Sequence, residues 1–60
     1  MDNTIKINLI NNKVICILNI TGEIFGQDFS SRKQALDVYF KETAHLDELG
    51  ILDPTSSILN

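Results

Sequence analysis

The sequence predicts a small α+β domain in which an antiparallel β-hairpin packs against one C-terminal helix. Residues 4–10 alternate between polar and apolar side chains, and an Asn-Asn pair separates them from a second apolar stretch. A helix-capping sequence then opens a long run of helix-forming residues. The organisation is ββα, or βββα if the segment between the second strand and the helix adds a third strand.

The predicted hairpin joins strands at about residues 4–10 and 13–20 through Asn11 and Asn12. Asn tolerates the positive φ that primed two-residue hairpin loops require. With this loop, Leu9 lies opposite Val14, and one face of the hairpin becomes entirely apolar. The side chains on that face are those of Ile5, Ile7, Leu9, Val14, Cys16 and Leu18.

The second strand is apolar on both of its faces. Val14 and Cys16 point to one side, whereas Ile15 and Ile17 point to the other. A chain of 60 residues buries only about 60% of the surface that its unfolded form exposes. We therefore expect too little chain to cover both faces, and this shortage predicts association, most simply as a homodimer with the second strands or the helices at the interface.

Residues 21–29 are predicted to be a loop, because Gly22 and Gly26 bracket an irregular segment. Whether residues 23–25 form a short strand is left open. The helix is predicted at about residues 31–49, since Ser31 and Gln34 fit a capping box and Gly50 fits a left-handed helix end. At 100° per residue its central apolar stripe contains Leu36, Tyr39, Phe40 and Thr43.

Composition is consistent with one domain spanning residues 1–60, with a tail at 50–60 that either folds back or docks elsewhere. Hydrophobic residues make up 43% of the chain, and the longest apolar run, residues 14–18, is too short for a signal peptide or a membrane span. A single cysteine, Cys16, is typical of a reducing compartment. These features predict a cytoplasmic protein of a bacterium or an infected host cell.

Charge is distributed unevenly along the chain. The net charge is -3, and residues 42–60 contain four acidic residues and no Lys or Arg. We interpret these acidic residues, which are Glu42, Asp47, Glu48 and Asp53, as an acidic patch. A surface of this sign disfavours binding to a phosphate backbone, so the charge distribution argues against nucleic acid as a partner.

No residue pattern indicates catalysis, a cofactor or a metal. Cys16 lies on the predicted core face with no base nearby in the sequence, so a packing role explains it. Glu42 and His45 match one Glu-x-x-His motif of bundle metal sites, but a single short helix supplies only half of such a site and these residues face solvent. The sequence therefore predicts that the protein is not an enzyme.

The segment from Gly22 to Gly26, followed by Phe29-Ser30-Ser31, resembles the strand-to-helix passage of WGR domains. Ala35 and Phe40 continue the resemblance. The Trp-Gly-Arg triplet of that family is absent and the chain is acidic, so no function is transferred from it.

The predicted function is that of a non-catalytic protein-interaction module. We expect a small phage, prophage or bacterial accessory factor that binds and inhibits or redirects a larger host protein, because apolar surface is in surplus and sites for chemistry are missing. The alternative is a small dimeric nucleic-acid-binding regulator or structural domain that uses Lys6, Lys13, Arg32 and Lys33. The residues predicted to contact a partner or a second copy are Ile10, Ile15, Ile17, Val38, Leu49, Ile58 and Leu59.

Overall fold

A computed structural model describes residues 2–59 of the chain and shows a small α+β domain. Its elements are β1 (Ile5–Ile10), β2 (Lys13–Leu18), β3 (Ile24–Asp28), α1 (Arg32–Glu48) and β4 (Ile58–Leu59). The strands form one mixed sheet in the order β3-β2-β1-β4, and α1 packs on one of its faces. Within the described residues, no helix has the length and apolar character needed to cross a membrane.

The predicted hairpin and its register are confirmed. Strands β1 and β2 pair antiparallel with Leu9 opposite Val14 and Ile5 opposite Leu18. Asn11 adopts a φ of 55°, which is the positive value that the two-residue loop requires and that Asn tolerates. The alternating pattern and the loop residues were therefore sufficient to fix this part of the fold.

The segment predicted as a loop at residues 21–29 contains a third strand, so the chain adopts the βββα order. Gly22, with a φ of 77°, lies in the turn that follows β2, and the Leu18 N–H donates to the Glu23 carbonyl at 2.9 Å. The chain then runs back along β2, and β3 pairs antiparallel with it over residues 24–28. The β-branched and aromatic pair Ile24-Phe25 favours this extended conformation.

Helix α1 begins and ends close to its predicted limits. The Ser31 hydroxyl accepts a hydrogen bond from the Gln34 N–H at 3.2 Å, which satisfies one of the unpaired donors of the first turn. At the other end Gly50 has a φ of 74°, and the Ile51 N–H donates to the Leu46 carbonyl at 3.0 Å. This is the left-handed helix end that the position of Gly50 predicts.

The buried stripe of α1 lies to one side of the expected one. Ala35, Tyr39 and Leu46 are buried against the sheet, whereas Phe40 is 58% exposed. The apolar arc of the helix is wider than the strip that is buried against the sheet. The helical-wheel projection alone therefore does not determine which residues lie at the centre of that strip. Because Ala35 is small, this side of the helix can lie close to the sheet. The core residues are Ile7, Leu9, Val14, Ala35, Tyr39 and Leu46.

The C-terminal segment, residues 51–59, folds back along β1, which is one of the two alternatives left open for the tail, although its pairing with β1 was not predicted. The Ile5 N–H donates to the Ile51 carbonyl at 2.8 Å, and the Leu9 N–H donates to the Ser57 carbonyl at 3.1 Å. Between them, the Ile7 N–H donates to the Ser56 hydroxyl at 2.9 Å. The segment ends as β4, which is parallel to β1. It therefore covers the outer edge of β1.

Candidate interaction surface

One face of the sheet carries α1, and the opposite face carries a row of apolar side chains. Because directly paired residues of adjacent strands point to the same side, the register places Ile17 beside Ile24 and Ile10 beside Leu59. Ile15, in the middle of this face, lies beside Gly26, which has no side chain. We call this surface the open face and define it by its apolar residues, which are Ile10, Ile15, Ile17, Ile24 and Leu59.

Neighbouring strands cover the open face only partly. Ile10, Ile15 and Ile17 are half-buried by their neighbours in the sheet, while Ile24 is 67% exposed and Leu59 is 44% exposed. Within residues 2–59, no helix or strand crosses this side of the sheet. The apolar residues of the open face therefore remain in contact with solvent in the isolated chain.

Lys6, Asn8 and Lys13 are the polar residues that β1 and β2 place on the open face, and Lys6 lies beside Ile17. The Asn8 side-chain oxygen accepts a hydrogen bond from the Ser57 N–H at 3.0 Å. At the hairpin end, Lys13 Nζ lies 3.8 Å from Asp28 Oδ1. A protein surface that covered this face would meet these two groups already partnered. The Lys6 ammonium has no ion pair among residues 2–59, so a partner would have to supply an acceptor for it or leave it in water.

The seven residues predicted to contact a partner lie in more than one place. Four belong to the open face: Ile10, Ile15, Ile17 and Leu59. The other three lie elsewhere. Val38 lines a cleft with Cys16 and Phe25 on the helix side of the sheet, Ile58 lines a groove with Phe40, and Leu49 is 56% exposed after the last turn of α1.

Two exposed apolar residues of β3 were missed by the sequence analysis. Ile24 belongs to the open face, and Phe25, which is 54% exposed, points to the helix side. The signal available in the sequence was the β-branched and aromatic pair directly after Gly22 and Glu23. The segment is too short for its alternation to be distinguished from a loop.

The four predicted acidic-patch residues do not share one surface. Glu42 and Glu48 line a shallow depression together with His45. Asp47 follows Glu42 by five residues, so at 100° per residue it points about 140° away around the helix. Asp53 lies in the C-terminal segment, outside the helix. Three of the four carboxylates therefore point to different sides of α1 and the fourth lies outside it, and a shared acidic patch stays a prediction.

Asp53 has a structural role. Its carboxylate accepts hydrogen bonds from the Thr55 hydroxyl at 2.7 Å, the Thr55 N–H at 2.8 Å and the Asn19 side-chain amide at 2.7 Å. The bonds from Thr55, followed by that from Asn19, hold the pKa of this carboxyl below its usual value. Asp53 thus links the C-terminal segment to the turn after β2.

Three observations bear on the residues considered for chemistry. Burial, followed by the nearby charge of Glu42, raises the pKa of the Cys16 thiol, and a raised pKa disfavours the thiolate that a nucleophile needs. Among residues 2–59, no group of three His, Cys, Asp or Glu side chains is arranged to hold a metal ion. His45 lies on the exposed side of α1.

Three of the four basic residues proposed for nucleic-acid binding contact groups of the chain, whereas Lys6 lies on the open face beside Ile17. Arg32 Nη1 donates to the Asn11 carbonyl at 2.8 Å, so the helix start and the hairpin turn do adjoin. Lys13 pairs with Asp28, and Lys33 Nζ lies 4.0 Å from Asp37 Oδ2. A positive patch at this end of the molecule is therefore partly neutralised by its own carboxylates.

Comparison with known proteins gives no functional assignment. The chain matches no protein-family model, and no curated protein or solved structure shows significant similarity to it.

Proposed function

We propose that this chain is a non-catalytic protein-interaction module that binds a partner protein through the open face. The supporting observation is that five apolar side chains share one side of the sheet and that no helix or strand of residues 2–59 crosses it. Contiguous exposed apolar surface in a small protein typically marks a site of protein association. Lys13 and Asp28 lie at the hairpin end of this surface, and Lys6 and Asn8 lie beside Ile17 and Ile15, so a partner would need polar groups opposite β1 as well as apolar ones.

In this proposal the protein is a small cytoplasmic factor of a phage or a bacterium that inhibits or redirects a larger protein of its host. A second copy of the chain is the other occupant to be considered for the open face, since a homodimer would cover the same residues. Nucleic acid is the less favoured partner, because Lys13 and Lys33 are paired with carboxylates and the net charge is -3.

The test is a comparison of wild type with Ile17→Lys in a quantitative pull-down from host lysate. Ile17 lies within the open face, so a charge there should prevent an apolar partner surface from covering it. We expect wild type to retain a stoichiometric protein partner, and we expect the retained amount to fall at least tenfold with Ile17→Lys. Ala44→Lys is the matched control, since it adds the same charge at an exposed position of α1.

Two results would contradict the proposal. One is that no stoichiometric partner is found and that the chain also shows no self-association weakened by Ile17→Lys. The other is equal loss of the partner with Ile17→Lys and Ala44→Lys, because this would place the contact outside the open face. Titration with duplex DNA at low and high salt tests the alternative, and salt-sensitive binding would favour the nucleic-acid function.

A further inference from the structure

Strand β3 forms an unpaired edge of the sheet. In the strand order β3-β2-β1-β4, β2 has a neighbour on each side, so it cannot add a strand from another molecule. Two copies therefore cannot pair through the backbone of their second strands, and the expectation that these strands meet in a dimer stays a prediction about their side chains on the open face. Strand β3 has β2 on one side and no strand of residues 2–59 on the other.

Half of the backbone groups of β3 point away from the sheet. The Leu18 N–H donates to the Glu23 carbonyl at 2.9 Å, and the Phe29 N–H donates to the Asn12 carbonyl at 2.9 Å. Successive residues of a strand direct their N–H and C=O groups to opposite sides. Residues 25 and 27 therefore face β2, and the N–H and C=O groups of Ile24, Gly26 and Asp28 face outward.

This edge lacks the features that usually prevent strands from pairing between molecules. Its register with β2 continues over five successive pairs without a bulge, and the strand contains no proline. Its one charged residue, Asp28, is at the end of the strand and lies close to Lys13. The side chains of Ile24 and Phe25 are 67% and 54% exposed. An exposed, regular and apolar edge of this kind is a template for strand addition.

We propose that β3 pairs antiparallel with β3 of a second copy of this chain, about a twofold axis at Gly26. In this register Gly26 lies opposite the partner's Gly26, and Ile24 lies opposite the partner's Asp28. The outward groups at positions 24, 26 and 28 then form roughly six hydrogen bonds, two for each of three pairs. Every outward backbone group of the strand acquires a partner.

The side chains of β3 favour a second copy over an unrelated extended peptide. Phe25 and the partner's Phe25 become diagonal neighbours on the helix side, roughly 7–8 Å apart, a distance that aromatic side chains can span. Acidic residues do not oppose each other, because Glu23 lies opposite the partner's Phe29 and Asp28 lies opposite the partner's Ile24. The glycine at the axis brings no side chain that would have to be accommodated. A twofold pairing therefore covers the exposed aromatic ring and avoids repulsion between like charges.

The dimer would be weak, and it would not occupy the open face. One pair of five-residue strands buries less than the roughly 1,200–2,000 Å² of a standard stable interface. We therefore expect a dissociation constant between the micromolar range and about 1 mM. The two open faces would lie on the same side of one continuous sheet, so they would remain free for a protein partner. This inference concerns the edge and is independent of the proposed function.

The test compares Gly26→Pro with Gly26→Ala by analytical ultracentrifugation of the full chain. Proline removes the outward N–H of Gly26, which no intramolecular pairing uses, and edge strands tolerate it at such a position. Alanine keeps the N–H. In both variants the added Cβ lies about 3.6 Å from Lys13 Cδ, an ordinary contact distance. We expect wild type and Gly26→Ala to dimerise below about 1 mM, and Gly26→Pro to dimerise at least tenfold more weakly.

Amide hydrogen exchange of the wild-type chain gives a second readout that does not depend on a variant folding. The amides of Ile24, Gly26 and Asp28 should become protected as protein concentration rises, while those of Phe25 and Gln27 should be protected at all concentrations. The proposal would be overturned by a wild-type monomer at about 1 mM. Equal dimerisation of Gly26→Pro and Gly26→Ala would also overturn it, as would a dimer in which those three outward amides still exchange freely.

Discussion

The two edges of the sheet differ in whether another segment of the chain covers them. The outer edge of β1 is paired with the C-terminal segment, which receives the N–H groups of Ile5, Ile7 and Leu9. The outer edge of β3 has no such cover among residues 2–59, although its side chains are more exposed than those of β1. In β1 the residues that face α1 form the centre of the core, whereas every residue of β3 is exposed.

This difference follows from how few residues remain after α1 to cover the sheet. The residues that follow α1 protect one edge and complete the core with Ile51 and Leu52, which pack against the buried cluster. They do not cross the open face. Among residues 2–59, the helix and the C-terminal segment therefore cover one face and one edge of the sheet, and the opposite face and the opposite edge are left without such cover.

The largest expected effect comes from truncating one isoleucine in β1 and, for comparison, one in β3. Ile7 is completely buried in β1, so Ile7→Ala should lower the free energy of unfolding by about 3 kcal/mol, through lost burial and a residual cavity. The matched change Ile24→Ala, on β3, removes the same atoms from a side chain that is 67% exposed and should cost about 0.5 kcal/mol or less. Urea unfolding monitored by circular dichroism measures both. Similar losses for the two variants would show that β3 contributes to the core as β1 does.

A smaller effect is expected from the side chain that receives the central N–H of β1. Ser56→Ala leaves the Ile7 N–H without its acceptor and should lower the free energy of unfolding by about 1–2 kcal/mol. Ser57→Ala is the control, because Ser57 binds β1 through its backbone N–H and C=O and should change stability by less than about 0.3 kcal/mol. Urea midpoints of the two variants give the comparison. If Ser56→Ala and Ser57→Ala lower the free energy of unfolding by equally small amounts, water can replace the Ser56 hydroxyl as acceptor. Backbone pairing alone would then hold the segment on β1.

The parts of the fold that depend on neighbouring residues were predictable from the sequence. The alternation of residues 4–10 and the Asn11-Asn12 loop determine the register of the hairpin, and Ser31 and Gly50 mark the two ends of α1. The pairing of β4 with β1 was not predictable, because a two-residue strand has no period of its own and its partner is distant along the chain. The rotation of α1 was also missed, since Tyr39 and Phe40 are equally plausible core residues until Ala35 packs against the sheet.

The candidate surface was predictable to a similar degree. Because side chains alternate along β2, Ile15 and Ile17 are recognisable as members of the open face, and the hairpin register adds Ile10. Leu59 joins them because it pairs with Ile10, whereas Ile24 required knowledge that residues 24–28 form a strand. Side-chain parity therefore reveals a face once a strand is recognised, but it does not reveal which further strands extend that face.

The smallest expected effect concerns the ion pair that ties β3 to β2. Lys13 Nζ and Asp28 Oδ1 are 3.8 Å apart, and their side chains are 47% and 80% exposed. Lys13→Met removes the charge and keeps an unbranched apolar chain beside Gly26, so the free energy of unfolding should fall by about 0.5 kcal/mol or less. In about 1 M NaCl the urea midpoint of Lys13→Met should approach that of the wild type, because salt screens an exposed ion pair. A loss above about 1 kcal/mol that persists in high salt would mean that Lys13 anchors β3. The edge of β3 would then be held in place much as the edge of β1 is.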